Sequence, residues 1–464
     1  MKRPVAMNAS DTIAAISTPV GQGGLGIVRI SGPDAVKMAD RIFRSKNGLP
    51  STLATHTVHY GRVETEGQVI DRVLLIVMRG PRTYTGEDTV ELSCHGGRLI
   101  LHKTLNAAIK AGARPANPGE FTMRAFLNGK LDLSQAEAVQ ELIGAQSELA
   151  LRVASQHLQG KLRDTVETIR SQIVEVAAVL EASIDFPEED IEISSRQELC
   201  GALSSAKEKV SHLLSTYDDG VKVAEGVNVV IAGKPNVGKS TLLNALLEKD
   251  VAITTPVPGT TRDVLKESLI LQGVSLNLFD TAGIRKPKGI VEKEGVRRSK
   301  KALREADVVL LVLDAEAGVS QEDHAIFRGA EGKKVIVVIN KIDLAPEATT
   351  ETVAREFRDF PSVRTSALKS WGIEELRREI LEKAWSAEVP SSEEVIITSV
   401  RHRDALERAE EALDGSLKAL REGLSPELTA VEVREALDAI GLITGETTDE
   451  EILDRIFSKF CIGK

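Results

Sequence analysis

Gly233-Lys234-Pro235-Asn236-Val237-Gly238-Lys239-Ser240-Thr241 stands between an apolar, β-rich run, Val227 to Ala232, and a helical pattern, Leu242 to Leu247. Strand, glycine-rich loop and helix, in that order, is the setting a phosphate-binding loop requires. The physics is that of a helix start, where unpaired backbone N–H groups point into the loop and an anion satisfies them. The outer glycines let the backbone wrap closely around a phosphate, Lys239 adds a point charge, and the Ser240 hydroxyl is placed to hold Mg²⁺. Read alone, the stretch also fits a glycine-rich turn with a surface lysine. The downstream sequence decides between the two.

Four downstream stretches choose the nucleotide. Thr260-Thr261-Arg262-Asp263 lies after the loop's helix, where GTPases carry a γ-phosphate-sensing threonine, and Thr261 is the expected Mg²⁺-facing residue. Asp280-Thr281-Ala282-Gly283 follows an apolar strand, which sets Asp280 behind the Mg²⁺ shell and the Gly283 amide at the γ-phosphate. Asn340-Lys341-Ile342-Asp343 follows another strand. The Asp343 carboxylate can accept from the ring N–H and exocyclic amino group of guanine, donors that adenine lacks there. A buried carboxylate left unpaired rejects ATP by a factor on the order of 10⁴. Ser366-Ala367-Leu368 closes the base pocket. Together, in this order, these stretches specify GTP.

The residue directly after Gly283 is Ile284, where Ras-like enzymes place a water-orienting glutamine. An arginine finger contributes ~10³–10⁵ in rate in such enzymes, so charge and positioning must come from elsewhere. Glu292 is a polar group in the following segment, and Asn236 is placed to coordinate a cation near the phosphates.

Outward from the loop, 464 residues exceed what one core usually serves, so two to four domains are expected. Hydrophobic residues at 42% and charged residues at 28% fit a globular chain in water. A net charge of −10 gives no global field for nucleic acid, and 3% aromatics argue against a stacking platform. Cys94, Cys200 and Cys461 are too far apart for a disulfide framework or zinc-ligand spacing. With no apolar leader and no long apolar run, the expectation is a cytoplasmic protein without a membrane span.

Residues 1–118 read as mixed α/β, with strands at Ile27–Ile30 and Val73–Met78 and a helix from Leu99 to Lys110. Gly21-Gln22-Gly23-Gly24-Leu25-Gly26 matches G-x-G-x-x-G, but a strand follows it instead of a helix. A dinucleotide site is rejected on that ground, and a tight loop is expected. Breakers at Arg114–Gly119 mark a boundary, and a capping box at Ser134–Glu137 opens a helical region, 119–219. The acidic turn Asp185–Asp190 reads as a solvated charge cluster or a metal site. Asp218-Asp219-Gly220 marks a second boundary. Residues 220–385 alternate strands and helices as a doubly wound, Ras-like G domain does. From 386 to 464 the chain is helical again, with Thr448–Glu451 capping the last helix, which suggests one helical domain holding the G domain as an insertion.

The chain resembles the MnmE (TrmE) family of tRNA modification GTPases over essentially its whole length. The resemblance rests on Asp11-Thr12-Ile13-Ala14-Ala15, Gly23–Gly32, Pro118-Gly119-Glu120-Phe121-Thr122-Met123-Arg124 continuing to Leu133, and the terminal Phe457–Lys464. Generic GTPases have neither flank. The resemblance implies an N-terminal α+β domain that binds 5-formyltetrahydrofolate or a related folate and dimerises. Arg29, Glu91, Lys130 and Lys464 match the folate contacts. It implies activation by K⁺ held by Asn236, Thr260 and the carbonyls of Thr255 and Val257. Thr255-Pro256-Val257-Pro258-Gly259 then lies against the nucleotide, and Glu292 orients the catalytic water. It further implies a homodimer that works with the flavoprotein MnmG on wobble uridine of certain tRNAs. Lys286 and Lys288 make the segment before Glu292 unusually basic for this pattern.

Cys461 reads as a nucleophile, a packing residue or a folate contact. Cys94 and His95, adjacent on a strand, should point to opposite faces and form no catalytic pair. The alternative function is a GTP-gated switch in ribosome assembly without modification chemistry.

Overall fold

The computed structural model describes residues 11–19, 21–186, 195–247, 266–280, 301–385 and 394–464. Contacts divide the chain into two compact units, one of Met1–Ile143, Ser155–Ser211 and Asp404–Lys464, the other of Gly144–Ala154 and His212–Arg403.

The first unit opens with strands β1 (Ile13–Ile16), β2 (Gly23–Ser31), β3 (Phe43–Arg44), β4 (Thr57–Thr65), β5 (Gln68–Met78), β6 (Thr89–Gly96) and β7 (Arg114–Pro115) in the order 3-4-5-6-2-1-7. Helices α1 (Ala35–Ile42) and α2 (Arg98–Lys110) supply Val36, Ala39, Leu101 and Ala108 to a core shared with Val73, Leu75 and Val77 of β5. Those three β5 residues alternate with outward-facing ones, the period a half-buried strand requires. Gly23, Gly24 and Gly26 lie inside β2 and not in the expected tight loop. A side chain at Gly26 would stand 2.6 Å from Leu101 Cδ1, and one at Gly96 would strike the Gly23 carbonyl. The glycines permit close strand and helix packing.

Helices α3 (Glu120–Leu127), α4 (Leu133–Gly144), α5 (Glu148–Leu158), α6 (Lys161–Asp185) and α7 (Arg196–Ser215) follow. The capping box of α4 sits two residues before the expected Ser134. Asp132 Oδ1 accepts from the Gln135 amide at 3.0 Å, and Gln135 Oε1 accepts from the Asp132 amide at 3.0 Å. A carboxylate outcompetes a hydroxyl for those free donors, and Ser134 donates to Asp132 instead. Of the acidic turn, Pro187–Asp190 lie outside the described residues.

The second unit carries α8 (Tyr217–Glu225), β8 (Val227–Ala232), α9 (Lys239–Leu247), β9 (Lys266–Leu271), β10 (Val274–Asp280), β11 (Val308–Asp314), α10 (Gln321–Arg328), β12 (Lys334–Asn340), α11 (Glu347–Glu356), β13 (Ser362–Arg364) and α12 (Ile373–Ala384). Its six-stranded sheet runs 13-12-11-8-10-9, parallel except for β9. Strands β8, β11 and β12 are buried on both faces, so they read as continuous apolar runs. Gln272 and Gly273 turn β9 into β10 with φ of 48° and 84°, the double positive φ of a type I′ hairpin. Asp218-Asp219-Gly220 is not a boundary loop but part of α8. Gly220 is there because any side chain would strike the Ile397 carbonyl, so close packing explains a glycine that reads as a breaker.

The chain returns to the first unit through α13 (Val400–Glu422), α14 (Pro426–Thr444) and α15 (Glu450–Phe457), and α14 packs along α6. Asp449 caps α15 by accepting from the Ile452 amide at 2.9 Å. Beyond it, Ile462 bridges Pro118, and a side chain at Gly463 (φ +97°) would strike the Ile16 carbonyl of the same chain. Among the described residues no helix is long and apolar enough to cross a membrane.

Candidate functional site

The carboxyl ends of the parallel strands converge on the loop between β8 and α9, as open α/β sheets arrange their ligand crevice. Gly233 (φ +157°) leaves the strand within a side chain's reach of the Val312 carbonyl, a Cβ there lying 2.5 Å from it. Asn236 (φ +66°) and Gly238 (φ +96°) then turn the backbone in the left-handed region. A side chain at Gly238 would collide with Asn340 Nδ2. Asn340 Nδ2 donates to the Val237 carbonyl at 2.9 Å and so holds the loop's second half.

Lys239 begins α9 nearly buried, its ammonium donating to the carbonyls of Gly233 (2.8 Å) and Lys234 (2.6 Å). The cradle holds its cation ready on its own backbone. Ser240 Oγ donates to Asp280 Oδ2 at 2.7 Å across the sheet, which places a hydroxyl and a carboxylate side by side at the helix start. Two hard oxygens in that position suit Mg²⁺. Thr241 is exposed in the same first turn.

The base-reading residues assemble at the ends of β12 and β13. Asn340 Oδ1 accepts from the Ala367 amide at 3.0 Å and from Thr365 Oγ1 at 3.2 Å, so one buried side chain ties the phosphate loop to the segment Ser366–Leu368. Lys341 takes φ +64° and donates to Asp314 Oδ2 at 2.7 Å, while Asp343 sits half-buried in the next turn. Burial works to raise the Asp314 carboxyl's pKa, but Lys341 and the amides of Glu316 and Ala317 outweigh it and hold the carboxyl below its ordinary range. Asp314 is a residue the motif reading passes over, although its place at the end of an apolar strand, like that of Asp280, is the signal for it. Leu368 is largely exposed at the rim. Thr255, Pro256, Val257, Pro258, Gly259, Thr260, Thr261, Thr281, Ala282, Gly283 and Glu292 lie outside the described residues.

A second site lies in the first unit. Arg29 and Glu91 face each other across β2 and β6, and Arg29 Nε donates to Glu91 Oε1 at 2.8 Å. The guanidinium stands 5.4 Å from the Phe121 ring centre and 5.8 Å from that of Tyr84. It also donates to the Gly463 carbonyl at 3.5 Å, which brings the residue before Lys464 to the same place. Lys130 donates to the Pro81 carbonyl at 3.1 Å and so braces the loop that carries Tyr84. Sequence reading misses Tyr84 and Phe121, though in a chain this poor in aromatics two rings under one arginine are informative. Cys461 is exposed, and its carbonyl accepts from the Gly119 amide. Cys94 is buried and its thiol is pushed up to about 11 by burial, while His95 is exposed and bonded to Asp71.

The model of the MnmE helical domain matches residues 133–461, and that of the TrmE N-terminus matches residues 12–130. A protein of Protochlamydia amoebophila named tRNA modification GTPase MnmE is 46% identical over 461 residues, 98% of each chain. The chain belongs to the MnmE family. A Symbiobacterium thermophilum member is 47% identical, covering 98% of this chain and 99% of its own. Among solved structures, Era of Aquifex aeolicus with GDP and aluminium fluoride is 34% identical over 40% of this chain and 66% of its own, at a TM-score of 0.29. Both flanks of the G-domain-like unit thus fall within the MnmE family's own models.

Proposed function

We propose that the chain is a K⁺-dependent GTPase that modifies C5 of wobble uridine, U34, in certain tRNAs. The product carries an aminomethyl or carboxymethylaminomethyl group, and the one-carbon unit comes from 5-formyltetrahydrofolate or a related folate. It works in the cytoplasm as a homodimer, joined to the flavoprotein MnmG in a heterotetramer-type complex. The domain division is 1–118 for folate binding and dimerisation, 119–219 and 386–464 for the helical domain, and 220–385 for the G domain. The observation that carries the reading is the Lys239, Ser240–Asp280 and Asn340 arrangement, in a chain whose relatives are named tRNA modification GTPases from end to end.

Asn236 through Thr241 hold the phosphates, and Asn340, Lys341, Asp343 and Ser366–Leu368 hold the base. Ser240 and Thr261 are the Mg²⁺ ligands, with Asp280 behind them; the ion supplies neutralising charge to the phosphate oxygens. Asn236, Thr255, Val257 and Thr260 are the K⁺ ligands, in a site that lacks a glutamine after Gly283. Glu292 orients water. Arg29, Glu91, Lys130 and Lys464 take the folate: a pterin offers a donor pair to Glu91, and its glutamate tail offers carboxylates to the cations. The exposed outer face of β4 and β5, where Tyr60 lies opposite Leu74 and Val58 opposite Ile76, suits a second copy of the chain.

Nucleoside analysis of tRNA from cells with and without the protein tests the modification. Loss of the wobble-uridine group is expected, and an unchanged profile favours the ribosome-assembly switch. Hydrolysis in K⁺ against Na⁺ tests the cation, and equal rates remove it.

A further inference from the structure

The phosphate loop holds two lysines, and only Lys239 turns toward the cradle. Lys234 reaches the other way, to the start of α10. Its ammonium lies 2.7 Å from Asp323 Oδ2 and 3.0 Å from Ser320 Oγ. Asp323 is completely buried, and the same Oδ2 accepts from the Ser320 amide at 2.9 Å and its hydroxyl at 2.8 Å. Its second oxygen, Oδ1, is buried without a hydrogen-bond partner. Capping a helix does not require a buried charge; neutral side chains do it at the surface. A fully buried carboxylate is costly unless a cation faces it, and here that cation comes from the phosphate loop.

The backbone of Lys234 does something different: its carbonyl, with that of Gly233, accepts from Lys239 Nζ. One residue therefore joins a rigid helix start to the atom that holds the loop's active cation. The loop's second half is held independently by Asn340 on the Val237 carbonyl. Among the described residues each half thus has its own strut.

We propose that Lys234, anchored on Asp323, is a positioning residue that sets where Lys239 meets the nucleotide's terminal phosphate. The proposal rests on the reading of the chain as a GTPase. A phosphate-loop lysine serves the β- and γ-phosphates, while backbone amides of the loop cradle the inner ones. Loosening the first half therefore penalises GTP and its transition state, which use the lysine at both phosphates, more than GDP, which keeps only the β-phosphate contact. A general weakening of the loop would cost both nucleotides alike.

The test uses the full-length protein as Lys234→Met, Lys234→Arg, Asp323→Asn and the Lys234→Met/Asp323→Asn double variant. Titrations with fluorescent GDP and a non-hydrolysable GTP analogue accompany steady-state hydrolysis. For Lys234→Met, kcat and analogue affinity should each fall about tenfold, with GDP affinity within about threefold, the scale of one lost charge-assisted contact. Lys234→Arg, which keeps the charge, should recover most of both. Asp323→Asn keeps a carbonyl for the helix cap and removes the charge. It should match Lys234→Met, with the double variant no worse than either, because partners in one contact are not additive. Wild-type values in Lys234→Met, a parallel loss of GDP binding that arginine does not rescue, or additive losses in the double variant would each overturn the proposal. A wild-type protein that hydrolyses no GTP would sink the functional reading instead. The clamp would then be judged by the ratio of analogue to GDP affinity alone.

Discussion

The phosphate loop of the second unit and the arginine cluster of the first are both dense in charge, and they are built on opposite plans. The loop is short in sequence and made of backbone: carbonyls of Gly233 and Lys234 hold Lys239, and the left-handed Asn236 and Gly238 turn the chain into α9. The cluster gathers side chains from far apart. Arg124 donates to Asp11 at 2.6 Å, to Glu120 at 3.0 Å and to Glu87 at 3.1 Å. Arg114 adds Asp11 at 2.8 Å and Glu120 at 2.6 Å. Every charge of the cluster has a partner within it, so no ligand is called for. It is a strut that fixes α3 against the start of β1, and α3 carries the Phe121 ring beneath Arg29. The loop, in contrast, ends at a helix start, the kind of position that suits an anion. Side-chain charges drawn together from distant positions build structure in the cluster, and a locally folded backbone that aims one lysine builds a site in the loop.

The largest effect that sharpens this contrast belongs to the open site. Asp343→Ala should remove guanine preference by up to ~10⁴-fold, measured as competition between GTP and ATP. Retained preference would mean that Asp343 does not read the base. Next comes the closed cluster. Arg124→Met leaves the half-buried Glu87 without its cation and Glu120 and Asp11 with Arg114 alone, which should cost up to ~3–5 kcal/mol of unfolding free energy in denaturant titrations. Nucleotide affinity should not change. If it fell along with stability, the cluster would be part of a site and the contrast would fail. Gly238→Ala should cost ~1–3 kcal/mol, from the strain at φ +96° and the contact with Asn340. Most of that should be read as lost nucleotide affinity rather than as a lower melting temperature.

Legibility from sequence divides along the same line. The loop, Asp280, Asn340 and the Ser366 segment are readable because each is a local stretch that follows an apolar strand, and the sheet brings their ends together. The type of glycine is not readable. Gly220 and Gly26 look like breakers, yet one lies in a helix and one in a strand, because what they accommodate, Ile397 and Leu101, is distant in sequence. The partners of Arg124 are hidden for the same reason: the chain separates it from Asp11 by 113 positions. Tyr84 belongs to no motif, and the capping-box spacing of Ser320 and Asp323 marks only a helix start; the fold alone puts Tyr84 beneath Arg29 and Asp323 at the end of Lys234.

The smallest effect is the most specific to a self-satisfied cluster, and it is a pH dependence. Burial works to raise the pKa of Glu120, but Arg114, the Asn117 amide and Arg124 outweigh it, so its carboxyl lies below the ordinary value. Asp11 is lowered in the same way, by Arg114 and Arg124 against a burial contribution of opposite sign. A carboxyl depressed on folding adds stability in full above its unfolded pKa, about 4.3 for glutamate, and loses it as pH falls through the folded value. Wild-type unfolding free energy should therefore decline on acidification below about pH 4. Glu120→Gln is less stable at neutral pH and has one such proton fewer to take up, so its acid slope should be shallower. The gap between the two proteins should narrow from pH 7 to pH 3 in denaturant melts. A gap that stays constant would mean that Glu120 carries no proton-linked stability, and that hydrogen bonding alone, which glutamine keeps in part, accounts for its place in the cluster.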